Sequence, residues 1–159
     1  MKGLPREAGP WYSIGMAVRR SSHAVFDTKY HLVWTPKYRK AILVGRPKER
    51  LRQIFLMIAE EFGFIIEEME LMPDQAHLFL SFPPKYAIAE VVRILKSLSA
   101  RQMFEEFAWL RRHLWGGELW NDGYFVRTVG DKVTAEIIKR YIRYQKSEGH
   151  GPKQLRFFK

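Results

Sequence analysis

Two pairs of residues in this 159-residue chain have types and spacing that could do chemistry together. Gln75 and His77 are two apart in the run QAHLFLSF. In a strand both side chains leave the same face of the sheet. Tyr141 and Gln145 are four apart, so in a helix they share one face. If that helix crosses that sheet face, a phenol hydroxyl, an imidazole nitrogen and two amide oxygens converge. A phenol with a pKa of about 10 is a weak nucleophile until it is oriented and deprotonated. Each residue also has an ordinary reading. His77 can be a half-buried strand histidine bonded to a neighbour, and Tyr141 a packing residue on an amphipathic helix. His23, His31, His113 and His150 stand in no ligand spacing with another histidine and read as surface or strand residues.

The elements that must position these groups follow from pattern. Residues 27–35, DTKYHLVWT, are rich in β-branched and aromatic types and stop at Pro36, which predicts a strand. A basic loop follows, Lys37-Tyr38-Arg39-Lys40. Pro47 can open a helix. Leu51, Ile54, Phe55, Ile58 and Phe62 keep the helical period up to Gly63. Residues 64–71 and 75–82 read as strands joined by the short turn Met72-Pro73-Asp74, hence an antiparallel hairpin. Beyond Pro83-Pro84 a long helix spans about 87–107, with Ile88, Val91, Val92 and Leu95 toward the core. Residues 111–122 read as a Trp- and Gly-bearing loop, 124–129 as a strand and about 133–146 as a last helix. The order β-α-β-β-α-β-α predicts an α+β fold. It is a ferredoxin-like or RRM-like βαββαβ with a four-stranded antiparallel sheet, helices on one face, and a C-terminal helix carrying Tyr141. Residues 1–24 read as an irregular extension, 25–148 as a single domain and 149–159 as a basic tail.

Composition narrows the class. There is no cysteine, which excludes disulfides, thiolate zinc sites and cysteine nucleophiles. No apolar run approaches the roughly 20 residues of a membrane helix, and the first twenty residues lack the apolar stretch of a signal peptide. A cytoplasmic protein without membrane association is expected. Lys and Arg number 27 against 17 acids, for a net charge of +10. A basic domain of this kind points to an anionic partner, most simply nucleic acid. Aromatics at 14% would suit single strands, whose bases stack on rings.

The run Met72-Pro73-Asp74-Gln75-Ala76-His77-Leu78-Phe79-Leu80 resembles the metal-binding strand of the HUH single-tyrosine transposases of the insertion-sequence 200/605 type. Four further segments resemble that family in order: Tyr30 to Trp34 with Pro36 to Arg39, Leu95 to Arg101, Leu114 to Asn121, and Ile138 to Gln145. The resemblance spans about residues 29–146. It implies an enzyme that binds single-stranded DNA at element-end hairpins and cuts and rejoins it. Tyr141 would form a 5′-phosphotyrosine bond and leave a free 3′-OH. Gln75, His77 and Gln145 would hold a divalent ion, Mg²⁺ or Mn²⁺. The family works as a dimer whose site can be completed in trans. Lys37, Arg39, Lys40, Lys96 and Arg101 match basic segments and would contact DNA phosphates.

One departure falls at the decisive place. The family's first strand histidine is Gln75 here. An amide oxygen is a hard donor that suits Mg²⁺ or Mn²⁺, so the site would shift toward harder ions. The same departure is what a catalytically impaired, hairpin-binding protein or regulator would carry. An RNA-binding domain of RRM type is a third reading, without that fold's aromatic signature. Trp115 and Trp120 could stack on bases or pack, with packing favoured for Trp120. Tyr144 points about 60° away from Tyr141 on a helix, which favours Tyr141 as the nucleophile.

Overall fold

The computed structural model describes residues 19–129, 139–140 and 142–143. Tyr141, Tyr144 and Gln145 lie outside the described residues, as do most of the expected last helix and the basic tail.

Strand β3 (Lys29–Trp34) is the first of the main sheet. Two short strands precede it, β1 (Arg19–Arg20) and β2 (Val25–Phe26), paired antiparallel. The stretch expected to be irregular therefore already holds a strand. Arg19 ties this small hairpin down, donating to the Ser81 carbonyl at 3.2 Å and the Gly63 carbonyl at 2.6 Å. After β3 a 3₁₀ turn (Lys37–Arg39) leads to α1 (Gly45–Phe62). Gly63 closes that helix in the left-handed region, φ 74°, its N–H bonded to the Ala59 carbonyl, where a Cβ would be costly. Strands β4 (Ile65–Met72) and β5 (Gln75–Ser81) form the expected hairpin. Helix α2 spans Ile88–Glu106, and β6 is Phe125–Val129. Where a loop was expected to begin, the chain instead makes a short helix, α3 (Ala108–His113), which buries Leu110.

The main sheet has the order β4-β5-β3-β6 with every neighbour antiparallel. This is the ferredoxin-like arrangement. Alternation divides its two faces. Leu32, Trp34, Ala76, Leu78 and Leu80 join α1 and α2 in the main core, with Phe55, Leu51, Val91 and Leu95. Trp34 meets Phe55 and Trp120 edge-on at 5.8 and 6.0 Å. Trp120 is buried and its indole N–H donates to Ser99 Oγ at 2.9 Å, the packing role expected of it.

The other face carries His31, Val33, Gln75, His77 and Phe79 on adjoining strands. It is not left to solvent. Phe79, Val129 and Ile142 form a second buried cluster, so the helical residues 139–140 and 142–143 lie over it. A bulge between Ile66 and Glu68 shifts the register of β4. Lys139 pairs with Glu67 at 3.0 Å and Arg143 with Glu68 at 2.9 Å. Burial alone would raise the Glu67 carboxyl pKa. Hydrogen bonds from Lys139 and Lys29 reverse this and hold it below the usual value. Two ion pairs thus tie residues 139 and 143 to β4 over this face.

Candidate nucleic-acid processing site

Gln75 and His77 are fully buried on that second face, at the start of β5. The sequence pattern places them side by side on one strand, and they are side by side. A third residue joins them. His31 on β3 lies diagonally across from His77, because the register pairs Val33 with His77 and His31 with Phe79. His31 Nε2 lies 3.3 Å from His77 Nδ1. His77 Nε2 lies 2.8 Å from Gln75 Oε1. An amide oxygen only accepts, so His77 Nε2–H donates to Gln75, and His77 Nδ1 accepts from His31 Nε2–H. The Gln75 amide nitrogen is buried with no partner.

Both imidazoles are neutral at pH 7. Burial, then the neighbouring His31, pushes the His77 pKa down to about 3. Burial, then Arg127, pushes His31 down to about 4. Arg127 stands beside His31 on β6 and is exposed, a cation at the rim of a neutral polar chain. Glu70, also buried, is the register partner of His77 on the other side.

His31, Arg127 and Glu70 were not singled out from sequence. The signal for His31 and Arg127 lies in long-range strand register, which sets His31 against His77 from 46 residues away, whereas Glu70 faces His77 across the β4–β5 hairpin. His31 in particular was read as an isolated strand residue, and the structure places it against His77.

The donor set fits a small divalent ion. An amide oxygen and an imidazole nitrogen are both donor types that such an ion takes, and the 2.8 Å between them is the hydrogen bond that ion binding would have to replace. Binding through His77 Nε2 requires that atom to lose its proton to Nδ1. His31 Nε2 then accepts from His77 Nδ1–H, the outer-shell bond that orients ligating histidines. Among the described residues, no cluster of three or more His, Cys, Asp or Glu side chains gathers.

The basic residues divide into separate places. Lys37, Arg39 and Lys40 collect just past the end of β3. Lys37 pairs with Glu118 at 3.5 Å and Arg39 with Asp74 at 3.4 Å. Lys40 donates to the His113 carbonyl at 2.9 Å. Arg101 lies on α2, in the helical layer, with Glu105 at 3.8 Å. Lys96 is turned inward. Its ammonium donates to the Asn121 carbonyl at 2.7 Å and the Gly123 carbonyl at 2.6 Å. Burial lowers its pKa, while Asp122 and Glu118 oppose the shift. Lys96 therefore holds the 117–124 loop against α2. Replacing Lys96 with Met should cost about 1.5–3 kcal/mol of stability in urea unfolding, as expected for charge-assisted hydrogen bonds. No change in the midpoint would reassign Lys96 to the surface.

The comparisons agree with this architecture. The family model described as "Transposase IS200 like" matches residues 24–145. The ISDra2 transposase TnpA of Deinococcus radiodurans is 40% identical over 130 residues, covering 82% of this chain and 92% of that protein. The transposase of insertion sequence element IS200 from Salmonella typhimurium is 34% identical over 134 residues, covering 84% and 87%. Among solved structures, a Deinococcus radiodurans R1 chain assigned as a transposase aligns with a TM-score of 0.65 at 38% identity, over 80% of this chain and 97% of that one. A REP-associated tyrosine transposase bound to a REP hairpin aligns with a TM-score of 0.59 at 13% identity, over 84% and 74%, and so shares the fold. A match that runs through every strand of the main sheet, with relatives at this identity over most of their length, settles the relationship: the chain belongs to the family of IS200-like transposases.

Proposed function

We propose that this protein cleaves and rejoins single-stranded DNA at element-end hairpins through a covalent 5′-phosphotyrosine on Tyr141. The observation that carries the reading is the buried His31–His77–Gln75 chain on a sheet face capped by the segment that flanks Tyr141. In support, a solved protein of the same fold is a REP-associated tyrosine transposase bound to a REP hairpin.

In the step, Tyr141 Oη gives its proton to solvent and bonds to the phosphorus. The P–O3′ bond breaks, and the departing 3′ oxygen takes a proton to become a free hydroxyl. Rejoining is the reverse attack by a 3′-OH, which releases the tyrosine, so bond energy is conserved throughout. Gln75, His77 and Gln145 would hold a divalent ion, Mg²⁺ or Mn²⁺, which when bound would neutralise charge on the phosphate oxygens. His31 keeps His77 in the tautomer that offers Nε2. Arg127, exposed beside His31, is placed to take a neighbouring phosphate. Residues 139 and 143 fix the height of the tyrosine helix through Glu67 and Glu68. A homodimer, with the tyrosine helix of one protomer serving the other's site, remains part of the proposal.

The test is denaturing electrophoresis with labelled single-stranded element-end DNA in Mg²⁺, Mn²⁺ or EDTA. A metal-dependent, denaturation-resistant adduct is expected. Tight hairpin binding without any adduct would favour a second reading, a catalytically silent hairpin-binding protein. That reading has its own support, because Gln75 Oε1 and His77 Nε2 already satisfy each other. Gln75→His distinguishes them further. If position 75 is a ligand, the substitution raises Mn²⁺ affinity in calorimetry by on the order of tenfold. Unchanged affinity removes Gln75 from the ligand set.

A further inference from the structure

The 3₁₀ turn after β3 and the loop after α3 meet at an aromatic pair that packing does not account for. The Tyr38 and Trp115 rings lie 5.0 Å apart, tilted at 57°. Tyr38 is 52% and Trp115 73% exposed. Their backbones are in the left-handed region, with φ of 59° at Tyr38, 51° at Arg39 and 55° at Trp115. Side-chain-bearing residues adopt this conformation only when their surroundings impose it. Here the surroundings do so. Tyr38 N–H donates to Asn121 Oδ1 at 3.3 Å and Arg39 N–H to the Pro36 carbonyl at 2.9 Å. Trp115 N–H donates to the Arg112 carbonyl at 3.0 Å, and Lys40 Nζ to the His113 carbonyl at 2.9 Å. Two strained loops are thus locked to hold two large rings in water.

Cations surround the rings. Lys40 Nζ stands 4.4 Å from the Trp115 ring centre and Lys37 Nζ 5.9 Å from that of Tyr38. The ion pairs of Lys37 with Glu118 and Arg39 with Asp74 face solvent, and such pairs are held weakly enough for a phosphate to displace them. Asp74 immediately precedes Gln75, so this platform stands at the Gln75 end of the sheet. Aromatic faces among lysines are what an unpaired base and its phosphates require. A base inside a duplex has no free face to offer.

We propose that Tyr38 and Trp115 form a stacking seat for an unpaired nucleobase of the DNA strand next to the cleavage site, with its phosphates on Lys37, Arg39 and Lys40. This deepens the reading above and rests on it.

The test uses the full-length protein and two probes in fluorescence anisotropy, an oligo-dT of about fifteen nucleotides and a duplex of equal length. Trp115→Ala should weaken oligo-dT binding by roughly tenfold or more. Trp115→Phe should keep most of the affinity. The salt dependence should be unchanged in Trp115→Ala and shallower by about one phosphate contact in Lys40→Gln. Because the Trp115 ring is exposed, the melting temperature of Trp115→Ala should match that of the parent. Parental affinity of Trp115→Ala for oligo-dT overturns the seat while leaving the DNA reading intact. An equal loss on the duplex also overturns it, since the ring would then act without regard to free bases. If the parent binds neither probe, the DNA reading fails and takes the seat with it.

Discussion

Tyr141→Phe should abolish the denaturation-resistant protein–DNA adduct, lowering its yield by roughly 10³-fold or more, to background. Phenylalanine keeps the ring and loses only the oxygen that bonds to phosphorus. Helix docking through Ile142, Lys139 and Arg143 is then undisturbed, and single-strand affinity should stay within a factor of about two. Tyr144→Phe should leave the adduct in place, because a helix turns Tyr144 about 60° away from Tyr141. Running both variants on one denaturing gel decides the assignment. An adduct that survives Tyr141→Phe, or that disappears in Tyr144→Phe alone, moves the nucleophile to Tyr144. Paired binding and adduct measurements separate loss of chemistry from loss of DNA.

The second large effect concerns acid. His31 and His77 have folded-state pKa values of about 4 and about 3, against roughly 6.5 in an unfolded chain. Between those limits the unfolded chain takes up protons that the folded one refuses. The stability from the neutral, buried histidines is therefore fully present above about pH 6.5 and is lost as pH falls toward the folded values. Each histidine contributes a slope of about 1.4 kcal/mol per pH unit in that window. From pH 7 to pH 5 the two together should remove on the order of 4 kcal/mol, a large share of a typical domain's stability. Urea unfolding at pH 7, 6 and 5 reads this directly. His31→Gln should reduce the slope by about one proton. A flat stability across this range would mean that the imidazoles are not buried as a pair. The carboxylate Glu67 is also held below its usual value. It loses its contribution only lower, as pH falls through the carboxylate range, so the two effects separate on the pH axis.

The Gln75 departure acquires a physical meaning in this structure. An amide beside His77 closes a hydrogen-bonded chain without any ion. A histidine at the same position could close the same chain, its bare ring nitrogen accepting from His77 Nε2–H as Gln75 Oε1 does. Ion binding at Gln75 therefore has to compete with that bond. The orphaned Gln75 amide nitrogen is the part of the residue that gains nothing from this arrangement.

Local pattern carried much of the molecule. The two-residue alternation of 75–81 placed Gln75 and His77 on one face, and the helical spacing of Leu51, Ile54, Phe55 and Ile58 placed them in the core. Gly63 marked a helix end because only a residue without Cβ takes that φ cheaply. Periods of two and 3.6 are properties of a few consecutive residues, so they can be read without knowing the fold. The α3 helix escaped this reading. Six residues are too few to display a period, and Trp and Gly nearby read as punctuation.

What tertiary structure decided is which distant residues share a place. His31 looks solitary along the chain, and only the β3–β5 register sets it against His77. The resemblance makes Lys96 an expected phosphate contact, yet two carbonyls of a loop 25 and 27 residues away claim its ammonium. Tyr38 and Trp115 meet because two loops are stitched by Lys40 and Asn121. By itself the sequence determined the order of the four main-sheet strands and of α1 and α2, the composition of each face and the family. Register, loop closure and the sharing of hydrogen bonds determined which of those groups touch, because those terms depend on contacts between residues that no local period relates.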